Sequence, residues 1–200
     1  MTIRQRYLEQ EYRDFHIKHF GTGDHTLTRP MTALHEAGHA VIYRFLGQPV
    51  GIQLNQDSEG YWTGYCGALK RSEIVYSDNL EAQISADICI CMSGYLSEKL
   101  FSDCYCPSSS GGDKAKAYAG ASILAELIDS SKELILDEIE TATAQLLRPY
   151  KQNCLRLTNV MQHSLTISPD QLKKILKVDK RFPSTSSLGN FLLRNHITCG

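Results

Sequence analysis

The sequence predicts a mainly α-helical domain of the α+β kind, with a small β-sheet directly after its first core helix. Three observations predict it. Apolar residues recur at helical spacing over most of residues 30–176. That pattern is interrupted by two short alternating segments, around 50–54 and 61–66, joined by the turn-like Asp57-Ser58-Glu59-Gly60. Starts and stops frame the helical segments: Pro30 and Ser168-Pro169 open two of them, Ser130 or Ser131 can cap a third, and Gly47 follows the first.

In order along the chain, residues 3–20 place Ile3, Tyr7, Leu8, Tyr12 and Phe15 at helical spacing, an amphipathic helix or partner-binding arm that Gly21-Thr22-Gly23-Asp24 breaks. Pro30 suits the first turn of the next helix because its missing N–H is not needed there. Ala33, Leu34, Ala37, Val41, Ile42 and Phe45 supply that helix's apolar face. Val50, Ile52 and Leu54 alternate as a strand, and residues 61–66 read as its antiparallel partner. Residues 79–101 return to helix, with Leu80, Ile84, Ile88, Met92, Tyr95 and Leu96 on one side. A Ser-, Gly- and Pro-rich loop over 102–112 follows, and Asp113 opens a helix to about 129. One long helix is expected over 131–162, and a short one over 168–176. The organisation expected is an N-terminal arm (1–24), one domain (25–178) and a C-terminal tail (179–200).

Composition narrows the function classes. The 200 residues are 42% hydrophobic, enough for a real core, and carry a formal net charge of −1 with no Lys/Arg run. Nucleic acid is therefore not an expected partner. The charged start lacks the apolar centre of a signal peptide, and the most apolar stretch, 82–97, contains Asp87 and is short for a membrane span. A soluble, cytoplasmic protein is expected. Seven cysteines suggest no disulfide framework. Cys89 and Cys91 fall within a helical apolar pattern and read as small core residues, and Cys104 and Cys106 sit beside Pro107 in a turn-like segment.

The chemistry concentrates in His35-Glu36-Ala37-Gly38-His39. On a helix, His35 and His39 are one turn apart on one face, so their ring nitrogens can converge on a single ion. Glu36 projects about 100° around from His35, beside such an ion, where a general base for an attacking water belongs. This is the His-Glu-x-x-His pattern of zinc-dependent hydrolases. A catalytic zinc needs a third protein ligand. His16, His19, His163 and His196 lie in the N-terminal segment or the C-terminal part, and His25 is ten residues upstream. Spacing leaves Glu98 and Asp113 nearly level for the role.

The segment Thr32-Ala33-Leu34-His35-Glu36-Ala37-Gly38-His39-Ala40-Val41 resembles the zinc-binding helix of the FtsH-type metallopeptidase domain. Residues 50–54 and 61–65 resemble that family's strands after the motif, and residues 93–101 its Gly-Gly-Arg-x-Ala-Glu-Glu-Leu helix. Ser109-Ser110-Gly111-Gly112-Asp113, with Ala117 beyond, resembles the Gly-Ala-x-x-Asp segment that carries its third metal ligand. The resemblance covers roughly residues 25–178. Among the departures, one of the paired glycines survives as Gly94, and Ser-Ser replaces Gly-Ala before the aspartate. The family's membrane anchor and ATPase module are expected to be missing from these residues.

The resemblance implies one Zn2+ per chain held by His35, His39 and Asp113, with Glu36 as catalytic base and Glu98 orienting an imidazole or serving as alternative ligand. The implied activity is an ATP-independent metalloendopeptidase acting on unfolded or flexible polypeptides. The strand bearing Tyr61, Trp62, Thr63, Gly64 and Tyr65 is a plausible edge for an extended peptide. A homo-oligomer is compatible with the ring assemblies of the family. The rival expectation is a non-catalytic peptide- or partner-binding protein with a structural metal site.

Overall fold

The computed structural model describes residues 28–67, 80–102 and 110–176. The arm over 3–20, the tail beyond 179, Cys104, Cys106, His16, His19, His25 and His196 lie outside the described residues. Elements run in the order α1 (Arg29–Phe45), β1 (Gly51–Gln56), β2 (Trp62–Gly67), α2 (Leu80–Phe101), α3 (Gly111–Ile128), α4 (Lys132–Leu147), a 3-10 turn (Arg148–Tyr150), α5 (Lys151–Met161), β3 (Thr166–Ile167) and α6 (Pro169–Ile175). The expected class, mainly helical with a small antiparallel sheet, is what forms. No described helix is long and apolar enough to cross a membrane.

Helix α1 starts as Pro30 predicts, and Thr28 O accepts from Thr32 N at 3.0 Å across the first turn. It stops at Gly47, whose φ of 70° is left-handed and suits a residue without Cβ. Between these ends α1 is enclosed: residues Thr32 to Ile42 are all buried. It packs against α2 on one side and against α5 and β2 on others. Helix α2 is likewise buried on more than one face, from Ala82 through Glu98, because it sits between α1 and the α3–α4 pair. Both helices therefore carry apolar residues on more than one face, and several of the polar groups they bury are held by specific partners.

The two buried helices cross at Gly38. A Cβ there would collide with the Ser93 carbonyl and stand 2.8 Å from the Ser97 side chain. Ser97 Oγ donates to Leu34 O at 2.7 Å, a buried hydrogen bond between the two helices. Glycine thus gives up helix propensity of about 1 kcal/mol so that the backbones can touch.

The sheet order is β2-β1-β3, antiparallel throughout. Val50, Ile52 and Leu54 point into the core while Gln53 and Asn55 face outward, which is the alternation the sequence shows. Asp57 Oδ1 accepts from Glu59 N and Tyr61 N and sets the turn into β2. Strand β3 is an addition to expectation: two residues are too short for a periodic signal, and Ile52 pairs with Ile167 by tertiary packing.

The expected single helix over 131–162 is instead broken into α4, the 3-10 turn and α5. Pro149 explains the break, since it has no N–H to donate backwards and its ring crowds the carbonyl four residues earlier. The start of α4 is capped by Ser131, whose side chain accepts from Leu134 N at 3.1 Å. Ser168 and Gln171 form a reciprocal capping box at α6. Helix α3 begins two residues earlier than expected, at Gly111, so Asp113 lies within its first turn. Cys89 is buried in the core as expected, and Thr143 Oγ1 reaches its sulfur at 3.2 Å. Cys91 is only half-buried.

The Gly38 crossing generates a stability prediction. Gly38→Ala should lower the free energy of unfolding by about 1–3 kcal/mol, because over-packing against the Ser93 carbonyl outweighs the gain in helix propensity. Urea titration followed by circular dichroism measures it. An unchanged or higher midpoint would contradict so close a crossing.

Candidate metal centre

Three elements bring the site together. Helix α1 supplies His35, Glu36 and His39, α2 supplies Glu98 from its last turns, and α3 supplies Asp113 from its first turn. The Nε2 atoms of His35 and His39 are 3.0 Å apart, and each is 3.1 Å from Asp113 Oδ2. Three atoms bound tetrahedrally to one ion at about 2.0–2.2 Å would be ~3.3 Å apart, so this triangle is close to a set of ligand positions. The buried His35–His39–Asp113 group could hold a metal ion.

The outer partners of the imidazoles fix which nitrogens point inward. His35 Nδ1 lies 2.6 Å from Glu98 Oε1, a carboxylate that is completely buried. His39 Nδ1 lies 2.8 Å from Ile90 O and 3.1 Å from Ser93 Oγ. A carbonyl can only accept, so the Nδ1 of His39 carries a proton and its Nε2 presents a lone pair when the ring is neutral. Glu98 imposes the same tautomer on His35. Two lone pairs and an anionic oxygen then face one point, an arrangement that repels itself unless a cation sits there. The donor set, two imidazoles and a carboxylate, is the kind that suits zinc and its neighbours in the first transition row.

Electrostatics carry the same signature. Burial alone would lower the pKa of His35, but hydrogen bonding to Asp113 and Glu98 outweighs it and lifts the imidazolium from 6.5 to about 10. Burial would raise Asp113, yet hydrogen bonds from His35 and His39 hold its carboxyl well below the usual carboxylate range. A proton can therefore serve as the shared cation, and a metal ion competes with it for the same atoms. Glu36 is 5% exposed, and burial pushes its carboxyl up despite the two imidazoles nearby.

Two glycines let these groups approach. A Cβ on Gly94 would overlap His35 Nε2 and stand 2.6 Å from His39 Nε2, so α2 presents bare backbone to both rings. A Cβ on Gly64 would overlap the Glu36 carboxylate, with Cγ at 2.5 Å and Cδ at 2.7 Å. Strand β2 therefore runs directly against Glu36. Among the described residues β2 pairs only with β1, which leaves its other side as a sheet edge.

Two clefts open at this centre and share Glu36, Gly64 and Asp113 in their linings. One, of about 260 Å³, is lined by Thr32, His35, Glu36, Trp62, Thr63, Gly64, Gly112 and Asp113. Of the strand residues singled out in the sequence, Trp62, Thr63 and Gly64 line this cleft. Tyr65 lines the second, and Tyr61 lines neither. Arg29 is stacked over Trp62 at 5.1 Å from the ring centroid and donates to Met161 O at 2.8 Å, pinning the start of α1 to β2 and α5.

His35, His39, Asp113, Glu36 and Glu98 are thus together, whereas His163 is exposed at the end of α5. Sequence reasoning missed Ser93 and the Ile90 carbonyl as partners of His39, and Lys116, whose Nζ lies 3.5 Å from Asp113 Oδ1. A cation at i+3 from an aspartate is common on helices and did not distinguish Lys116. No family model matches the chain, and no curated protein matches it.

The protonation pattern predicts a pH dependence for the chelator-treated protein. A histidine raised from 6.5 to about 10 stabilises in full below pH 6.5 and loses that contribution as pH rises through 10. Asp113, held low, contributes above the ordinary carboxylate pKa of about 4 and loses this as pH falls. Glu36, raised by burial, works against the folded state as pH rises past 4.5. Thermal melts should therefore show a fall in Tm between pH 6 and pH 10, and Asp113→Asn should flatten it. An equal fall in that variant would contradict the assignment to this cluster.

Proposed function

We propose that this chain is a zinc-dependent endopeptidase of the FtsH type, cleaving unfolded or flexible polypeptides without ATP. The observation that supports it most is the convergence of His35 Nε2, His39 Nε2 and Asp113 Oδ2 at 3.0–3.1 Å, with the buried Glu36 carboxylate beside them against a sheet edge. His35, His39 and Asp113 would hold the ion, and Glu98 would keep His35 in the ligating tautomer. Zinc bound there supplies Lewis acidity, bringing the pKa of water towards neutrality and polarising a carbonyl.

The remaining work falls to the chain's own groups. Glu36, with its proton affinity raised by burial, takes the proton of the attacking water and passes it to the leaving amine. A peptide laid along β2 would gain main-chain hydrogen bonds from the strand edge, which read extended backbone and not sequence. Such a mode favours chains that are already unfolded. Cleavage of a chain that is already unfolded needs no unfolding step, so it is expected to proceed with no nucleotide added.

Glu36→Gln should reduce hydrolysis of a denatured protein by about 10²–10⁴-fold while metal content is unchanged. Activity in gels and metal content by plasma mass spectrometry test this together. Retained activity in Glu36→Gln would remove the proposed base. Glu98→Ala should weaken metal affinity about 10–100-fold, read by competition with a chromogenic chelator. Unaltered affinity would show that His35 needs no such partner.

A further inference from the structure

The second cleft, of about 440 Å³, extends from the metal centre past His39 and falls within the size range of ligand pockets. Its walls include Tyr43 from α1, Ile88 and Cys91 from α2, and Gly120 from α3, a mixture of apolar surface and small groups. Asp87 also lines it, one residue before Ile88 on α2. Gly120 is what lets α3 close over this wall, since a Cβ there would stand 2.9 Å from Ile88 Cγ1.

Four charged side chains line the cleft: Glu36, Asp87, Asp113 and Lys116. Asp113 faces the two imidazoles through Oδ2 and Lys116 through Oδ1. Glu36 stands against Gly64 beside the metal centre. Asp87 is different. Its partner is a neutral one, Gln83, whose Nε2 lies 3.3 and 3.4 Å from its two oxygens, and no described Lys or Arg pairs with it. Asp87 is exposed, so its carboxylate is open to a ligand from the cleft, and desolvation by its surroundings still pushes its carboxyl above the ordinary value.

Resting on the peptidase reading above, the geometry points to a specificity pocket in this cleft that takes a lysine or arginine side chain next to the scissile bond, with Asp87 receiving its cationic head. The aliphatic stem of such a residue matches the Ile88, Cys91 and Tyr43 walls, and its charge supplies what Gln83 does not. The backbone-only recognition at β2 would then be supplemented by one side-chain preference. Asp87 acts here as a specificity-determining residue that stands apart from the proton transfers.

Cleavage-site profiling of a denatured protein mixture by the zinc-loaded chain tests this, paired with fluorescence anisotropy of matched peptides on the Glu36→Gln variant. Lysine or arginine should be enriched at one position beside the cut bond, and a lysine peptide should bind roughly tenfold tighter than its norleucine counterpart. Asp87→Asn should bring that ratio near one, and Asp87→Lys should turn the preference towards glutamate. Equal affinities for lysine and norleucine, with hydrolysis intact, would overturn the pocket and leave the peptidase reading standing. A glutamate preference in the unaltered pocket would overturn it in favour of Lys116. Tenfold lysine preference in binding without any hydrolysis would support the pocket and remove the peptidase reading.

Discussion

Two imidazole lone pairs and one carboxylate oxygen are held at 3.0–3.1 Å from one another, and much of the structure serves to keep them there. Left alone, these atoms repel. Their positions are set from behind, by Glu98 and the Ile90 carbonyl on the outer nitrogens, both on a helix that is itself buried. A buried carboxylate such as Glu98 is costly unless paired, so its presence ties the folding of α2 to the protonated Nδ1 of His35. The cation at the centre, whether proton or metal, closes the electrostatic balance of the whole crossing.

That balance needs backbones to come closer than side chains ordinarily allow. Gly38 brings α1 onto α2, Gly94 brings α2 onto the imidazoles, and Gly64 brings β2 onto Glu36. Each substitutes backbone for Cβ where a larger residue would overlap a neighbour. Their joint effect is a compact centre with two clefts opening at it and a strand edge along it. Gly120 does the same for the larger cleft, where it brings α3 against Ile88.

Much of this was readable from the sequence because the strongest signals are local. His35 and His39 follow helical spacing, Pro30 and Gly47 frame their helix, and the alternation of Val50, Ile52 and Leu54 marks a half-buried strand. The third position was not local. Spacing left Glu98 and Asp113 level, and only the packing of α2 and α3 on α1 separates them, putting Glu98 on the outer nitrogen and Asp113 on the inner one. The Pro149 break in the expected long helix was present in the sequence but overridden by the apolar periodicity on either side. Strand β3 and the lining of the larger cleft depend on contacts distant along the chain, which no short window contains.

The central claim is that His35, His39 and Asp113 form an open metal centre, with a coordination position left to solvent. X-ray absorption at the zinc edge of the zinc-loaded full chain measures this directly. The account predicts two imidazole nitrogens with only oxygen donors completing the shell, and loss of one imidazole signal in His39→Ala. Sulfur in the shell, from Cys66 or Cys91 on the same cleft, or a shell closed by a fourth protein side chain would contradict it. Either result would favour a structural site in a non-catalytic protein.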